Sequence, residues 1–395
     1  RASQACLAAI RALFAEQSSI GLITPQMAEW AKRADRYARA RTLERAWADT
    51  ALGMIKCATG DRSSGRQLLS QALELARRLG DPDTFWWAGF GWVLYSGAPQ
   101  HAEECLRVAE ESMKMPRIGI GIVSLVNGLA LAGHAFLALG QRQRAEQAWR
   151  EVRPLAERTR QAVLQLFAIG PEAVILTMDG RLEEAIENGR RVLAMGREMG
   201  IFDTATVMAN NTTVRARLYI GREALERLER GLAAASEDRP AYGDRTTVLC
   251  LVMAHLGRKD EVSEILDKLV VRRHGIGTPA DETHVWVDLS LLESAVLVGH
   301  REAAELLLNR FAGVNVVTSG LLYTTCVARH LGGACALLNR PDEARQHYQE
   351  AIKVCTEMRF RPELALTRLQ LAELLLEHYP EEKKEALEHL DFAIK

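Results

Sequence analysis

Cysteine and histidine side chains are the first candidates for chemistry in this chain. Cys326 and His330 lie one helical turn apart, and Cys335 follows after a further turn, which could place metal ligands along one helix face. No fourth ligand is evident, and Cys335 falls within an apolar helical pattern, where a free thiol packs like a small apolar side chain. We therefore expect no metal site and no cofactor.

Motifs of the common catalytic sites do not occur. The chain has no glycine-rich loop followed by Lys-Ser or Lys-Thr, no Gly-x-Ser-x-Gly and no His-Glu-x-x-His, the signatures of nucleotide hydrolysis, serine hydrolases and zinc peptidases. The string Gly275-Ile-Gly277-Thr-Pro279-Ala280 looks like part of a dinucleotide-binding loop, but Pro279 and the missing strand–helix–strand context favour a plain loop. We predict that this chain is not an enzyme.

Aromatic side chains are concentrated in one short stretch. Six of the 23 aromatic residues fall within eleven positions: Phe85, Trp86, Trp87, Phe90, Trp92 and Tyr95. Most of them should pack in a core, because one helix cannot expose so much apolar area to water. Any that remain exposed would be platforms on which a partner could stack.

Helices must position these side chains. Apolar residues recur at spacings of three and four, whereas Pro and Gly concentrate at joints such as Leu79 to Pro82 and Asp238-Arg239-Pro240, and no segment has the alternation of a strand. A Gly or Asn recurs about every forty residues, at Gly60, Gly97, Gly140, Gly180, Gly221, Gly257, Gly299 and Asn339, with a ninth turn expected near Tyr379. This rhythm predicts a solenoid of helical hairpins.

The two clearest copies carry small residues where paired helices must approach closely. Gly133, Phe136, Leu139, Ala145, Trp149 and Val152 match Gly332, Cys335, Leu338, Ala344, Tyr348 and Ala351 at the same offsets. The pattern resembles the tetratricopeptide repeat. The resemblance implies an all-α, right-handed superhelix of about nine hairpins over residues 46–395, after a cap or partial repeat in residues 1–45. The period of about forty is longer than the usual 34, and the copies at Gly221 and near Tyr379 fit poorly.

In tetratricopeptide arrays, the first helix of each hairpin lines the concave surface. Transferred to this chain, that rule implies a binding surface of aromatic, amide and charged side chains: Trp87, Tyr95, Asn127, His134, Asn211, Arg215, Tyr219, Trp286, Glu293 and Arg329. Such a surface suits an extended peptide, because amide side chains can hydrogen-bond to its backbone. It equally suits a polar small molecule stacked on an aromatic ring. The sequence leaves both alternatives open.

Composition excludes one class of partner. Lys plus Arg number 50 against 51 Asp plus Glu, so the chain has no overall positive charge with which to hold a phosphate backbone, and we expect no direct nucleic-acid binding. The seven cysteines are odd in number and lack paired spacing, which favours a reducing, cytoplasmic location. No secretory signal follows Arg1, and the chain resembles an excised fragment.

One stretch is long and apolar enough to be mistaken for a membrane span. Residues 118–141 carry no Asp, Glu, Lys or Arg, and their length would cross a bilayer. The stretch nevertheless ends at the Gly140 turn and keeps the phase of the repeat. We predict a buried helix and no membrane contact.

The final stretch, from Thr325 through Arg361-Pro362-Glu363 and the leucine-rich run that follows to Phe392, is similar to the repeat region of large bacterial signalling proteins. Those proteins join a cyclase or LuxR-type DNA-binding domain to a STAND-type ATPase and then to such an array. The resemblance implies a non-catalytic scaffold or sensor that binds a protein or small inducer and regulates linked domains of the same parent. The alternative is an enzyme with its active site in the concavity of the solenoid.

Overall fold

The computed structural model describes residues 1–17, 24–159, 161–234, 245–320 and 322–394. These residues form helices and connecting loops with no β-strand, and their one bridge joins Thr318 to Cys326. The prediction of an all-α superhelix is confirmed. The turn expected at Asp238-Arg239-Pro240 lies outside the described residues.

Twenty helices follow one another along the described chain. The first ten are α1 (Ala2–Gln17), α2 (Pro25–Tyr37), α3 (Leu43–Ala58), α4 (Arg62–Leu79), α5 (Pro82–Tyr95), α6 (Ala102–Lys114), α7 (Ile122–Ala138), α8 (Arg142–Thr159), α9 (Ala162–Met178) and α10 (Leu182–Glu198). The others are α11 (Phe202–Ile220), α12 (Arg222–Ala234), α13 (Arg245–His255), α14 (Lys259–Leu266), α15 (Val285–Val298), α16 (Arg301–Arg310), α17 (Val327–Leu337), α18 (Pro341–Glu357), α19 (Arg361–His378) and α20 (Lys383–Ile394). Short 3-10 helices span Pro99–His101 and Pro380–Glu382, and a π-helical turn at Asp267–Val271 continues α14.

Local sequence sets where several of these helices begin. The side chain of Thr42 accepts a hydrogen bond from the Arg45 amide at 3.2 Å, and Asp81 accepts one from the Thr84 amide at 2.9 Å. Each cap satisfies an amide that has no partner within the helix. Pro82 then occupies the first turn of α5, where its missing N–H costs nothing.

Consecutive helices pack in pairs, from α3 with α4 to α19 with α20, giving nine hairpins in the described residues. Helices α1 and α2 pack together and against α3. Most predicted turn residues have a positive φ, which lets the chain reverse between helices: Gly60, Gly140, Gly180, Gly221, Gly257, Gly299 and Asn339. Between α19 and α20, the turn runs through Pro380–Glu382.

Gly97 is an exception among the predicted turn residues. It has no positive φ, and the hairpin of α5 and α6 turns through the Pro99–His101 helix. Gly97 instead packs against the imidazole of His284, and its carbonyl accepts a hydrogen bond from the Val285 amide at 2.8 Å. A contact between distant repeats, rather than a turn, requires glycine here.

Small residues permit the close approach of paired helices, as the repeat pattern predicts. The Trp149 indole of α8 lies directly over Gly133 of α7 and donates a hydrogen bond to the Ala130 carbonyl at 3.0 Å. In the matching copy, a Cβ on Gly332 would lie only 2.6 Å from the Tyr348 ring. The helices of each pair can therefore pack closely only while these positions lack a side chain.

The array curls until its first half touches its second half. The Val317 amide donates to the Ala138 carbonyl at 2.9 Å, and the guanidinium of Arg142 donates to the Met358 carbonyl at 2.7 Å. Arg142 is also paired with Asp179 at 2.6 Å. The concave side is thus enclosed on several sides by the chain itself.

The apolar segment 118–141 contains the whole of α7, whose buried face contacts α5, α8 and α9. Among the described residues, no helix is long and apolar enough to cross a membrane. The interpretation of this segment as a buried repeat helix is therefore the one that the structure supports.

We predict that Gly133→Leu destabilises the fold by about 1–3 kcal/mol, because the new side chain must displace the Trp149 ring from a close-packed interface. Chemical denaturation measures the difference. Gly231→Leu is the matched control, since a side chain at Gly231 in α12 meets no atom within 4 Å. Equal stability of the two variants would contradict the proposed packing of α7 against α8.

Candidate functional site: a cavity on the concave side

A cavity of about 720 Å³ lies inside the curl of the array. Its walls come mainly from the first helices of the hairpins, α3, α5, α7, α9, α11 and α15. Two non-helical stretches complete it, the loop 272–284 and a strap, which we define as residues 314–320 and 322–326. A volume of this size is typical of sites that bind small molecules.

The cavity wall is largely apolar, with a few polar groups. Phe90, Leu131, Phe167 and Met208 contribute apolar surface. Polar side chains reach the wall from several elements: Ser96, Asn127, His134, Asn211, Thr212, Arg273 and His284. No Asp or Glu is found among the described residues that line it. Apolar walls with a small number of fixed polar groups are the usual construction of a ligand site.

Five of the ten residues predicted from the sequence line this cavity together: Tyr95, Asn127, His134, Asn211 and Trp286. Asn127 is 1% exposed, and its amide nitrogen donates to the Val123 carbonyl at 2.9 Å. His134 packs its ring against Gly320 of the strap. The rule that the first helix of each hairpin faces the interior therefore selects residues from four helices, α5, α7, α11 and α15, that meet around one space.

The strap occupies much of the surface on which an extended peptide was expected. The Tyr323 hydroxyl donates to the Asn211 side-chain oxygen at 2.7 Å. The centroid of the Tyr323 ring lies 4.7 Å from the centroid of the Trp286 ring. The Arg215 guanidinium donates to the Tyr323 carbonyl at 3.1 Å. Amide, guanidinium and aromatic groups thus do hold a non-helical backbone segment, but this segment belongs to the same chain.

Four other predicted residues, Arg215, Tyr219, Glu293 and Arg329, form a buried charge cluster next to the cavity. None of them lines the cavity. Arg215 is paired with Glu293, which also accepts from His255 at 3.2 Å and lies 3.5 Å from Arg329. Buried ions of this kind are tolerated only when each has a partner of opposite charge. The expectation that these side chains form an open binding surface is wrong.

Glu363, which the sequence analysis did not select, lies at the centre of this cluster. The Arg329 guanidinium donates to both of its carboxylate oxygens, at 2.7 and 3.1 Å, and the Tyr219 hydroxyl donates at 2.5 Å. The Cys326 amide of the strap adds a hydrogen bond at 3.1 Å. Burial alone would raise the pKa of Glu363, but the charge of Arg329 lowers it to about 2.

Trp87 is not an exposed aromatic platform. Its side chain is 2% exposed, stacked 4.7 Å from Trp47 and packed edge-on against Phe14 of α1 at 4.9 Å. The amino-terminal helix covers the position that the repeat offset predicted to face the concave side. Repeat offset cannot anticipate this, because it describes the interior of an array and not its ends.

Sequence reasoning missed Ser96, Arg273, His284 and the strap. The signal for the strap was present as a run of β-branched residues around Val316 and Val317, followed by Gly320, where the helical spacing is interrupted. His284 is brought to the cavity by its contact with Gly97, some 190 residues earlier in the chain. No local pattern encodes a contact of that separation.

The histidines in the wall are held in a neutral form. Burial lowers the pKa of His134 to about 4, and burial together with the nearby charge of Arg62 lowers the pKa of His284 to about 3. Two thiols at the wall, Cys57 and Cys105, have pKa values raised by burial. Near neutral pH these four groups therefore carry no charge.

Comparison with known proteins finds no sequence relative and only weak similarity to solved structures. No protein-family model and no curated protein sequence matches the chain. Among solved structures, a chain in the crystal structure of the APC/C hetero-tetramer Cut9–Hcn1 is similar, with 15% identity and a TM-score of 0.38. The alignment covers 100% of this chain and 66% of that one. A TM-score this low supports no transfer of function, so the tetratricopeptide resemblance rests on the repeat residues themselves.

We predict that His134 makes stability depend on pH. An unfolded histidine has a pKa of about 6.5, so between pH 6.5 and about 4 the unfolded chain binds a proton that folded His134 does not. The unfolding free energy should therefore fall as the pH is lowered through this window. His134→Gln should reduce the slope of the unfolding free energy against pH by up to about 1.4 kcal/mol per pH unit.

Urea unfolding of wild type and His134→Gln at intervals across this window measures the two slopes. Above pH 7 both forms are neutral at this position, and the slopes should coincide. An unchanged slope below pH 6 would contradict the assignment.

We predict that Glu363→Gln costs about 3–5 kcal/mol, because it leaves buried Arg329 without its bidentate partner. Glu305→Gln is the control, since Glu305 forms a solvent-exposed pair with Arg340 and such pairs contribute at most about 1 kcal/mol. Denaturant titrations compare the two. A loss below 1 kcal/mol for Glu363→Gln would show that the cluster does not secure the strap.

Proposed function

We propose that this chain is a non-catalytic binding module that takes a small molecule into the cavity on its concave side. The observation that carries the proposal is the strap, which fills the groove and leaves an apolar cavity with a few polar groups. A long peptide would have to displace Tyr323, Thr325 and Cys326, all of them buried. Between the two partners that the sequence allowed, the small molecule is therefore favoured.

An enzyme is the weaker alternative. Acid–base catalysis requires convergent groups that can exchange protons near neutral pH. The described wall carries no carboxylate, and burial holds His134 and His284 in their neutral forms. The wall is suited to recognition rather than to proton transfer.

The regulatory setting rests on the resemblance of the carboxy-terminal repeats to those of bacterial signalling proteins. In that setting, the cytoplasmic module would relay occupancy of the cavity to a linked ATPase, cyclase or DNA-binding domain of the same parent. Such a relay requires that the ligand bind two states of the parent with different affinity. Because the strap contacts both the cavity and the charge cluster, it is the element through which occupancy would reach the carboxy-terminal hairpins.

We predict that the uncharged dye Nile red, which fluoresces in apolar surroundings, binds to the wild-type protein and that Val207→Trp weakens this binding at least about tenfold. Val207 of α11 lines the cavity, so the larger ring would occupy ligand space. A tenfold change corresponds to about 1.4 kcal/mol. Fluorescence titration gives both dissociation constants.

The matched control is Thr206→Trp, one residue earlier on the same helix and outside the cavity wall. It should bind the dye as wild type does. No dye binding by the folded wild type, or equal binding by both Trp variants at unchanged melting temperature, would contradict a ligand site in this cavity.

A further inference from the structure

Two buried side-chain oxygen atoms in the cavity wall have no hydrogen-bond partner. The side-chain oxygen of Asn127 is one, since only the nitrogen of that amide is used, by the Val123 carbonyl. The hydroxyl of Ser96 is the other, and Ser96 is only 1% exposed to solvent. Buried polar groups in folded proteins are normally satisfied, and an unsatisfied one is costly. A ligand in the cavity could satisfy both of them.

A third group in the wall offers a donor. The Nε of Arg273 is buried and makes no hydrogen bond, whereas another nitrogen of the same guanidinium donates to Asp288 at 2.8 Å. Arg273 and Arg310 share Asp281 and Asp288, so two positive charges are balanced by two negative ones. Arg273 can therefore donate to a ligand without requiring a negative charge from it.

The rest of the wall gives a charged ligand little compensation. His134 and His284 are neutral near pH 7 because burial lowers their pKa values. Arg62 lies exposed at the edge of the cavity, where its guanidinium is 3.5 Å from the Glu282 carbonyl. A carboxylate or ammonium buried among Leu131, Phe167 and Met208 would lose its hydration without gaining an equivalent partner.

We propose that the cavity binds an uncharged, mostly apolar small molecule that donates a hydrogen bond to the Asn127 oxygen. A hydroxyl or amide N–H would supply that donor, and a carbonyl or ether oxygen could accept from Ser96 or Arg273. The identification of this ligand class rests on the proposed function. The volume of about 720 Å³ leaves room for an apolar body beside these polar groups.

The test is displacement of Nile red from the wild-type protein by four compounds with the same ten-carbon chain: 1-decanol, decyl methyl ether, decanoate and decyltrimethylammonium. 1-Decanol should displace the dye at a concentration about tenfold lower than the ether, because only the alcohol donates to Asn127. The two ions should displace it more weakly than either neutral compound. Displacement by either ion at a concentration equal to or below that of the alcohol would overturn the proposal.

The residue-level test is Asn127→Leu, which keeps the approximate volume and removes the acceptor. It should weaken displacement of Nile red by 1-decanol about tenfold and leave displacement by decyl methyl ether unchanged. Asn188→Leu is the matched control, because Asn188 is equally buried and also has an unpaired side-chain oxygen, but lies away from the cavity. Asn188→Leu should change the displacement of Nile red by neither compound. An equal effect of Asn127→Leu on displacement by the alcohol and by the ether would overturn the proposal.

The outcomes separate the two proposals. Failure of the folded wild type to bind Nile red rejects the cavity as a ligand site. Binding of the dye with no preference among the four compounds retains the site and rejects the ligand class. If circular dichroism shows that Asn127→Leu does not fold, the test is the wild-type protein alone, through the ratio of the concentrations of 1-decanol and decyl methyl ether that displace the dye.

Discussion

The buried carboxylate of Glu363 is the interaction on which the interior of this protein depends. It joins α19 to Tyr219 of α11, to Arg329 of α17 and to the backbone of the strap at Cys326. A carboxylate with no exposed surface remains ionised only when positive charge and donors surround it. These elements are therefore held in one arrangement, since moving any of them would leave a buried charge without its partners.

This arrangement changes what the concave side can do. An open solenoid presents a long groove to extended peptides. Here the strap lies in the groove, with Tyr323 between Asn211 and Trp286, and further backbone contacts join Val317 to α7. Aromatic and amide side chains on the first helices have become the internal supports of a cavity. In the function that we propose, the selectivity of that cavity follows from its volume and from the few polar atoms that have no partner within the chain.

The distribution of polar partners within the interior also distinguishes the two regions. In the charge cluster, Arg329 and Glu363 satisfy each other, as expected where a network serves to stabilise. At the cavity, the Asn127 oxygen and the Ser96 hydroxyl remain unpaired beside open space. The charges of the first region are balanced within the chain, whereas the second region carries the unpaired oxygens on which the proposed ligand class rests.

Local sequence patterns were sufficient to predict the helical hairpins, their approximate number and most of their turns. Those features follow from apolar spacing, from glycines such as Gly140 that adopt a positive φ, and from small residues such as Gly133 beneath Trp149. The same patterns also placed Asn127 and Asn211 on the interior side. Three features became visible only in the folded chain: α1 covers Trp87, Glu363 anchors the strap, and His284 reaches the cavity. The difference arises because the signals for a hairpin act within one repeat. Closure of the array depends instead on contacts between residues far apart in the chain, which no local pattern records.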